Sequence, residues 1–315
     1  MQSYSLFAPA KINLHLEIIG HRADGYHELV MIMQSVNLGD KIHLRANGTD
    51  NIRLYCQNPE VPLDNSNLAY KAVTLMQEKF PKAARNFGGV DITIEKNIPV
   101  SAGLAGGSTN GAGVLVGINL MWSLGLTQPE LRDLASLLGS DVPFCISGGT
   151  SIATGRGEEI EPLSDLTDIW VILAKYSNLG VSTPWAYNAY RQQYEQFYVS
   201  DGKEVKSRTH QVHSGELVKA ITNKDSKAIG RLLYNDLEKV VLPEYPAVSE
   251  LITAFRNENV LGAMMSGSGP TVFALCTTEQ EATSIAQKVQ NSINDPNLNC
   301  WVAQMCPHGI ITIED

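Results

Sequence analysis

The chain of 315 residues is 43% hydrophobic and 18% charged, which excludes disordered and fibrous classes and leaves length enough for two domains with proper cores. A formal net charge of −9 argues against a general nucleic-acid binder while allowing a local basic pocket for a phosphorylated small molecule. Five scattered cysteines, Cys56, Cys145, Cys276, Cys300 and Cys306, lack C-x-x-C spacing, so they read as reduced thiols and not as a disulfide framework or zinc site, and no metal ligand set is assigned.

The N-terminus has no basic segment followed by an apolar core, and no apolar run reaches about 18 residues, so the expectation is a cytoplasmic protein without a membrane partner. From Phe7 to Ile19 the apolar residues Ala8, Ala10, Ile12, Leu14, Leu16 and Ile18 alternate with Pro9, Lys11, Asn13, His15 and Glu17. That pattern predicts a strand whose polar face either meets water or lines a cleft, with Lys11 and Asn13 side by side at its start. Asp24-Gly25 marks a turn, Tyr26 and His27 lie in or just after it, and a strand follows over 29–36. A tyrosine ring so placed can stack on a nucleobase, and a histidine or its backbone can read a base edge.

Short strands are predicted at 41–46 and 51–56, then a helix over 68–80 entered through Asp64-Asn65-Ser66-Asn67 and stopped before Pro81. Val90, Ile92 and Ile94 share one side of a half-buried strand, and a dense apolar run over 112–121 indicates a helix buried around most of its circumference. Between them lies PVSAGLAGGSTNGAG, residues 99–113. Glycines between a strand and a helix start let an anion approach the backbone, where N–H groups lack partners and the helix dipole is positive. The stretch is neither a Walker A loop nor a G-x-G-x-x-G turn.

Thr127-Gln128-Pro129-Glu130 is a capping box opening a helix that runs to Leu138. Asp141 then stands before an apolar segment, where a carboxylate either caps the next turn or acts chemically. A strand is expected at 150–154, with a domain boundary next to it, giving domains 1–155 and 156–315. In the second half a strand is predicted at 169–174, a helix entered at Ser182-Thr183-Pro184, a polar loop over 194–209, and helices at 215–222, 226–237 and 246–257. A second glycine cluster, Ser266-Gly267-Ser268-Gly269-Pro270, joins two apolar runs, and a helix over 279–291 and a strand over 300–305 complete the chain.

PAKINL near the start, the glycine stretch, and GAMMSGSGPTVF near the end stand in the order and spacing of the three motifs of the GHMP kinases, which the whole chain resembles. The resemblance implies a two-domain α+β fold with the active site in the inter-domain cleft, ATP as phosphoryl donor accompanied by Mg²⁺, and a small alcohol as acceptor. It implies Lys11 and Asp141 as the catalytic pair, and Pro99, Val100, Ser101, Ala102, Gly103, Leu104, Ala105, Gly106, Gly107, Ser108 and Thr109 around the ATP phosphates, with Asn65 and Lys96 near the adenine. GYHEL and LGSDVPFC are similar to those of members acting on a cytidine diphosphate-linked alcohol. In that case Tyr26 and His27 hold the cytosine, Asn13 touches the acceptor end, and Tyr187 forms the opposite wall, with Trp185 as its rival. Acceptors of the homoserine or mevalonate type, or a non-catalytic nucleotide-binding role, are the alternatives, and the chain is taken as a monomer or weak homodimer. Ser101 and Ala105 stand where the family commonly has glycine, and Gly111 where alanine is common.

Overall fold

Strands β1 (Ser3–His21) and β2 (His27–Ala46) form a long antiparallel ribbon, closed by the turn at Asp24-Gly25, whose Asp24 carboxylate accepts the Tyr26 N–H at 3.1 Å. The computed structural model describes residues 3–199 and 201–314. The two strands expected at 29–36 and 41–46 are one continuous strand. The ribbon's register shifts at Pro9/Ala10, where β2 carries two extra residues, and again at Asn13/His15, where β1 carries one, and the side chains of β1 change face across these irregularities. Leu6 and Ala8 before the first shift, and Leu16 and Ile18 after the second, pack in one core, whereas Ala10, Ile12 and Leu14 between the shifts pack in another with Leu173, Met264 and Phe273. Lys11 and Asn13 are thereby turned toward the first core, and neither strand face is left to water.

Strand β3 (Arg53–Cys56) leads to helix α1 (Leu68–Lys79), capped by the Asn67 side chain, and to a short α2 (Pro81–Phe87). Strand β4 (Val90–Glu95) lies antiparallel to β2 and parallel to β3. Helix α3 (Gly106–Met121) fills the first core against β1, β2 and α1. A Cβ on Gly117 would fall 2.2 Å from Leu44 Cδ1, so that glycine lets the helix lie directly on the sheet. Helix α4 (Gln128–Ser136) opens with its capping box formed, α5 (Val142–Ser147) follows, and β5 (Thr150–Thr154) and β6 (Glu159–Pro162) extend the sheet from β2.

In the second half, β7 (Trp170–Tyr176) precedes helices α6 (Thr183–Tyr194), α7 (Gly202–His213), α8 (Glu216–Thr222) and α9 (Ser226–Arg231). Strand β8 (Tyr234–Asn235), helices α10 (Glu238–Glu244) and α11 (Pro246–Arg256), and strands β9 (Gly262–Met265) and β10 (Val272–Cys276) come next. Helix α12 (Glu279–Ile293), β11 (Leu298–Gln304) and β12 (Ile311–Ile313) close the chain. The second sheet runs β11-β7-β10-β9. The loop expected over 194–209 is largely helical: Asp201 caps α7, Val205 and Val212 pack against the second core, and the Arg208 Nε–H donates to Glu17 at 2.7 Å. Among the described residues no helix is long and apolar enough to cross a membrane.

The two halves are sewn together more tightly than a boundary at residue 155 implies. Strand β6 still belongs to the first sheet, β8 pairs parallel with β1, and β12 returns to pair with β1. At this seam the buried Asp236 carboxylate accepts the Ile18 N–H at 2.8 Å, the Tyr234 hydroxyl at 2.6 Å and the Lys239 ammonium at 2.7 Å. Removing it leaves a buried N–H unpaired, so Asp236→Ala is expected to lower the unfolding free energy by about 3 kcal/mol. Urea titration followed by circular dichroism checks this, and an unchanged midpoint would show the seam to be dispensable.

Candidate active site

Between the two halves lies a cavity of about 800 Å³. One wall is the glycine stretch, where Ser101 (φ 51°), Gly103 (φ 72°) and Ala105 (φ 57°) all occupy the left-handed region. Gly103 is required twice over, since a Cβ there would also lie 2.3 Å from the Ser266 carbonyl oxygen. At Ser101 and Ala105 the chain holds this conformation without glycine, at a cost of order 1 kcal/mol each. Ala105 is the N-cap of α3 and offers no side-chain capping bond, so the first N–H groups of that helix are left to whatever enters beside Gly106, Gly107 and Ser108, all of which line the cavity. The second glycine cluster braces this wall. The Ser266 hydroxyl donates to the Gly103 carbonyl at 3.1 Å, and Asn235 donates to the carbonyls of Met265 and Gly267 at 2.9 and 2.8 Å.

Lys11 and Asp141, 130 positions apart in the chain, meet beside that wall with Nζ 3.6 Å from Oδ2. The Lys11 N–H donates to the Leu104 carbonyl at 3.2 Å, which ties β1 directly to the glycine loop. The Lys11 ammonium donates to Asn13 Oδ1 at 2.7 Å. Asp141 occupies the N-cap position of α5, yet its side chain makes no capping hydrogen bond, which leaves its carboxylate with 30% of the side chain exposed against 5% for Lys11. A carboxylate held beside an ammonium and open to a cavity can take a proton from a bound hydroxyl.

A second lysine is held differently. Lys96, on the cavity wall, is paired with the fully buried Asp40, which also accepts the Asn97 and Ile98 N–H groups at 2.7 and 2.8 Å and the Asn110 amide at 2.7 Å. One carboxylate thus pins the entry to the glycine loop and the first turn of α3 together. Asp40 sits within a strand with no local signal, so sequence reading missed it.

At the far end, Tyr26 is 51% exposed, with the Arg156 guanidinium 5.0 Å from its ring centroid. The His27 ring lies within an aromatic enclosure, 5.1 Å from Tyr187 and 6.0 Å from Tyr198, and burial, with smaller effects from His21 and Arg191, pushes its pKa down to about 4. Burial likewise raises the Tyr187 phenol, and raises Tyr198 to about 12. Tyr198 lies in the segment read as a loop, which is why its part in this enclosure went unforeseen.

The structure places some of the expected positions on the cavity wall and others off it. Asn65 does not line the cavity, whereas Ser66 and Asn67 do, because Asn67 is the residue at the N-cap of α1. Asn13 is fully buried behind Lys11, its amide directed to Met31 Sδ at 3.4 Å. Thr109 is buried inside α3 and off the cavity wall. Tyr187 lines the cavity and Trp185 does not, its ring packing edge-on against Tyr245. Pro99 to Ser108, Lys96, Tyr26, His27, Lys11 and Asp141 all line it.

With this geometry in view, the comparisons are direct. Residues 67–149 match the GHMP kinases N terminal domain and residues 217–295 match GHMP kinases C terminal. The chain belongs to the GHMP kinase family. A protein of Gloeothece citriformis, 62% identical over 98% of both chains, and one of Nostoc punctiforme, 58% identical over 98% of both, are each named 4-diphosphocytidyl-2-C-methyl-D-erythritol kinase. A crystal structure of 4-(cytidine 5'-diphospho)-2C-methyl-D-erythritol kinase superposes with a TM-score of 0.72 at 29% identity, covering 96% of this chain and 98% of that one. Homoserine kinase from Cytophaga hutchinsonii shares the fold, with a TM-score of 0.77 at 20% identity over 99% and 98% of the two chains.

The enclosure of His27 has a pH signature. The folded protein disfavours protonation that the unfolded chain accepts near 6.5, so the stabilising contribution is complete above about 6.5 and is lost as pH falls through about 4. Thermal unfolding measured from pH 7 to 4 is expected to show this decline, and His27→Gln to flatten it. A His27 ring-proton NMR titration with a midpoint near 6.5 would refute it.

Proposed function

We propose that this chain transfers the terminal phosphate of ATP to the 2-hydroxyl of 4-diphosphocytidyl-2-C-methyl-D-erythritol, a step of the non-mevalonate route to isoprenoid precursors. The observation that carries the reading is the Lys11–Asp141 pair, 3.6 Å apart, in a cavity walled on one side by an anion-receptive glycine loop and at the other end by Tyr26, His27 and Tyr187. In this reading the loop from Pro99 to Ser108 grips the triphosphate through backbone N–H groups, with Lys96, Ser66 and Asn67 toward the adenine. The cytosine stacks between Tyr26 and Tyr187. Because the His27 ring is enclosed by aromatic neighbours, its backbone is the part available to the base edge.

The reacting hydroxyl lies against Asp141, which accepts its proton, while the Lys11 ammonium offsets charge on the moving phosphoryl group. Transfer is direct, with the alcohol oxygen attacking the terminal phosphorus and ADP leaving. Among the described residues no cluster of three or more His, Cys, Asp or Glu side chains is placed to hold a metal ion. Magnesium, which neutralises phosphate charge when bound, is therefore proposed to enter on the nucleotide, with Ser108 as the nearby hydroxyl, in keeping with its usual reliance on substrate phosphates. The acidic net charge supports a small-molecule partner over nucleic acid. The chain is proposed to act in the cytoplasm, as a monomer or weak homodimer.

Phosphorylation assays with the cytidine-bearing alcohol, homoserine and mevalonate test the reading: only the first is expected to react, and turnover of either other acceptor in its place would overturn it. Asp141→Asn and Lys11→Met are each expected to lower kcat by about 10²- to 10⁴-fold with little change in the KM for ATP. Asp40→Asn, which weakens the anchor of the glycine loop, is expected to raise the KM for ATP by about tenfold while altering kcat less. Steady-state kinetics separate the two patterns.

A further inference from the structure

The described residues that line the cavity include three permanent cations, Lys11, Lys96 and Arg156. Two are committed: Lys11 to Asp141 and Asn13, and Lys96 to the buried Asp40. The Arg156 Nε is paired with Glu158, whose side chain is 20% exposed, which leaves its two terminal nitrogens outside that ion pair. It stands at the tip of the turn between β5 and β6, flanked by Gly155 and Gly157, and its side chain is drawn across the rim of the cavity. Its Nη2 donates to the Ser136 carbonyl at 2.7 Å, its Nε lies 3.6 Å from Glu158 Oε1, and its guanidinium plane is 5.0 Å from the centre of the Tyr26 ring. A guanidinium has five N–H donors, so most of them remain unused.

Resting on the acceptor proposed above, the substrate carries a diphosphate between its cytidine and its branched alcohol. The cytidine end belongs at Tyr26 and the reacting hydroxyl at Asp141. Arg156 touches the first, and Ser140, the neighbour of the second, lines the same cavity. We propose that Arg156 is a substrate-binding residue that receives this diphosphate. The planar fork meets phosphate oxygens in pairs, and the contact with Tyr26 and Ser136 holds the fork in place before the substrate arrives. The same residue then couples recognition of the base to recognition of the diphosphate, and it gives the cavity a reason to prefer a nucleoside diphosphate conjugate over a free sugar alcohol.

The test compares native protein with Arg156→Met, which keeps the length and apolar stem of the side chain, and Arg156→Lys, which keeps the charge but not the fork. Binding of CDP and of cytidine is measured by calorimetry with ADP at saturation, so that the glycine loop is filled. In Arg156→Met, CDP affinity is expected to fall by about 10- to 100-fold while cytidine affinity changes little, with partial recovery in Arg156→Lys. In turnover, the KM for the cytidine diphosphate-linked alcohol is expected to rise by a similar factor with the KM for ATP unchanged. Equal losses for CDP and cytidine would confine Arg156 to supporting Tyr26 and overturn the proposal, as would unchanged CDP affinity. Failure of native protein to phosphorylate the conjugate would instead refute the proposed acceptor, a result independent of how the variants bind CDP.

Discussion

Between the register shifts at Pro9/Ala10 and Asn13/His15, β1 turns over, so that a stretch of five residues presents its polar side to the helices and its apolar side to the second sheet. Without those two shifts, Ala10, Ile12 and Leu14 would share the side of Leu6 and Leu16, and Lys11 would face the other core with no counter-charge. A buried ammonium in that position costs several kcal/mol unless it is paired. With the shifts, Lys11 reaches Asp141 across the space left by α5, and its own N–H is tied to the glycine loop through Leu104. Positioning of the glycine wall and of the Lys11–Asp141 pair is therefore one structural event.

The two lysine–carboxylate pairs in the cavity divide the work between rigidity and reactivity. Asp40 is fully buried and saturated by four donors, Lys96, Asn97, Ile98 and Asn110, so it has no capacity left for a ligand and serves to hold the loop. Asp141 forgoes the capping bond that its position at the start of α5 would allow, keeps a loose contact with Lys11, and stays partly open. That openness suits the proton-accepting role proposed for Asp141. Strain follows the same distribution: the left-handed residues Ser101, Gly103 and Ala105 are concentrated in the glycine wall of the cavity, and the bonds from Ser266 and Asn235 brace that wall.

Much of this was legible from the sequence. The capping box at Thr127, the strand at 90–95 and the glycine stretch before α3 are local features, governed by residues within a few positions of one another, and they occur where the pattern places them. Helix α7 was not foreseen, because its apolar contacts are few and its polar composition resembles that of a loop; Val205, Val212 and the Arg208–Glu17 pair hold it against the body of the protein. Asn67 lines the cavity where Asn65 does not for a comparable reason, since any of the polar residues from Asp64 to Asn67 could cap a helix and only the packing of α1 selects Asn67.

By itself the sequence determined the alternation of elements, the anion-receptive turn, and the residue types from which a transferase site could be assembled, because short-range sterics, capping and hydrophobic periodicity act along the chain. Only the tertiary structure decided which polar residues of β1 line the cavity, that Asn13 stands behind Lys11, that Asp40 anchors the loop, and that Arg156 is left with donors to spare. Those outcomes depend on register shifts and on contacts between residues tens to hundreds of positions apart, where the free energy of pairing a buried charge selects an arrangement that no local pattern encodes.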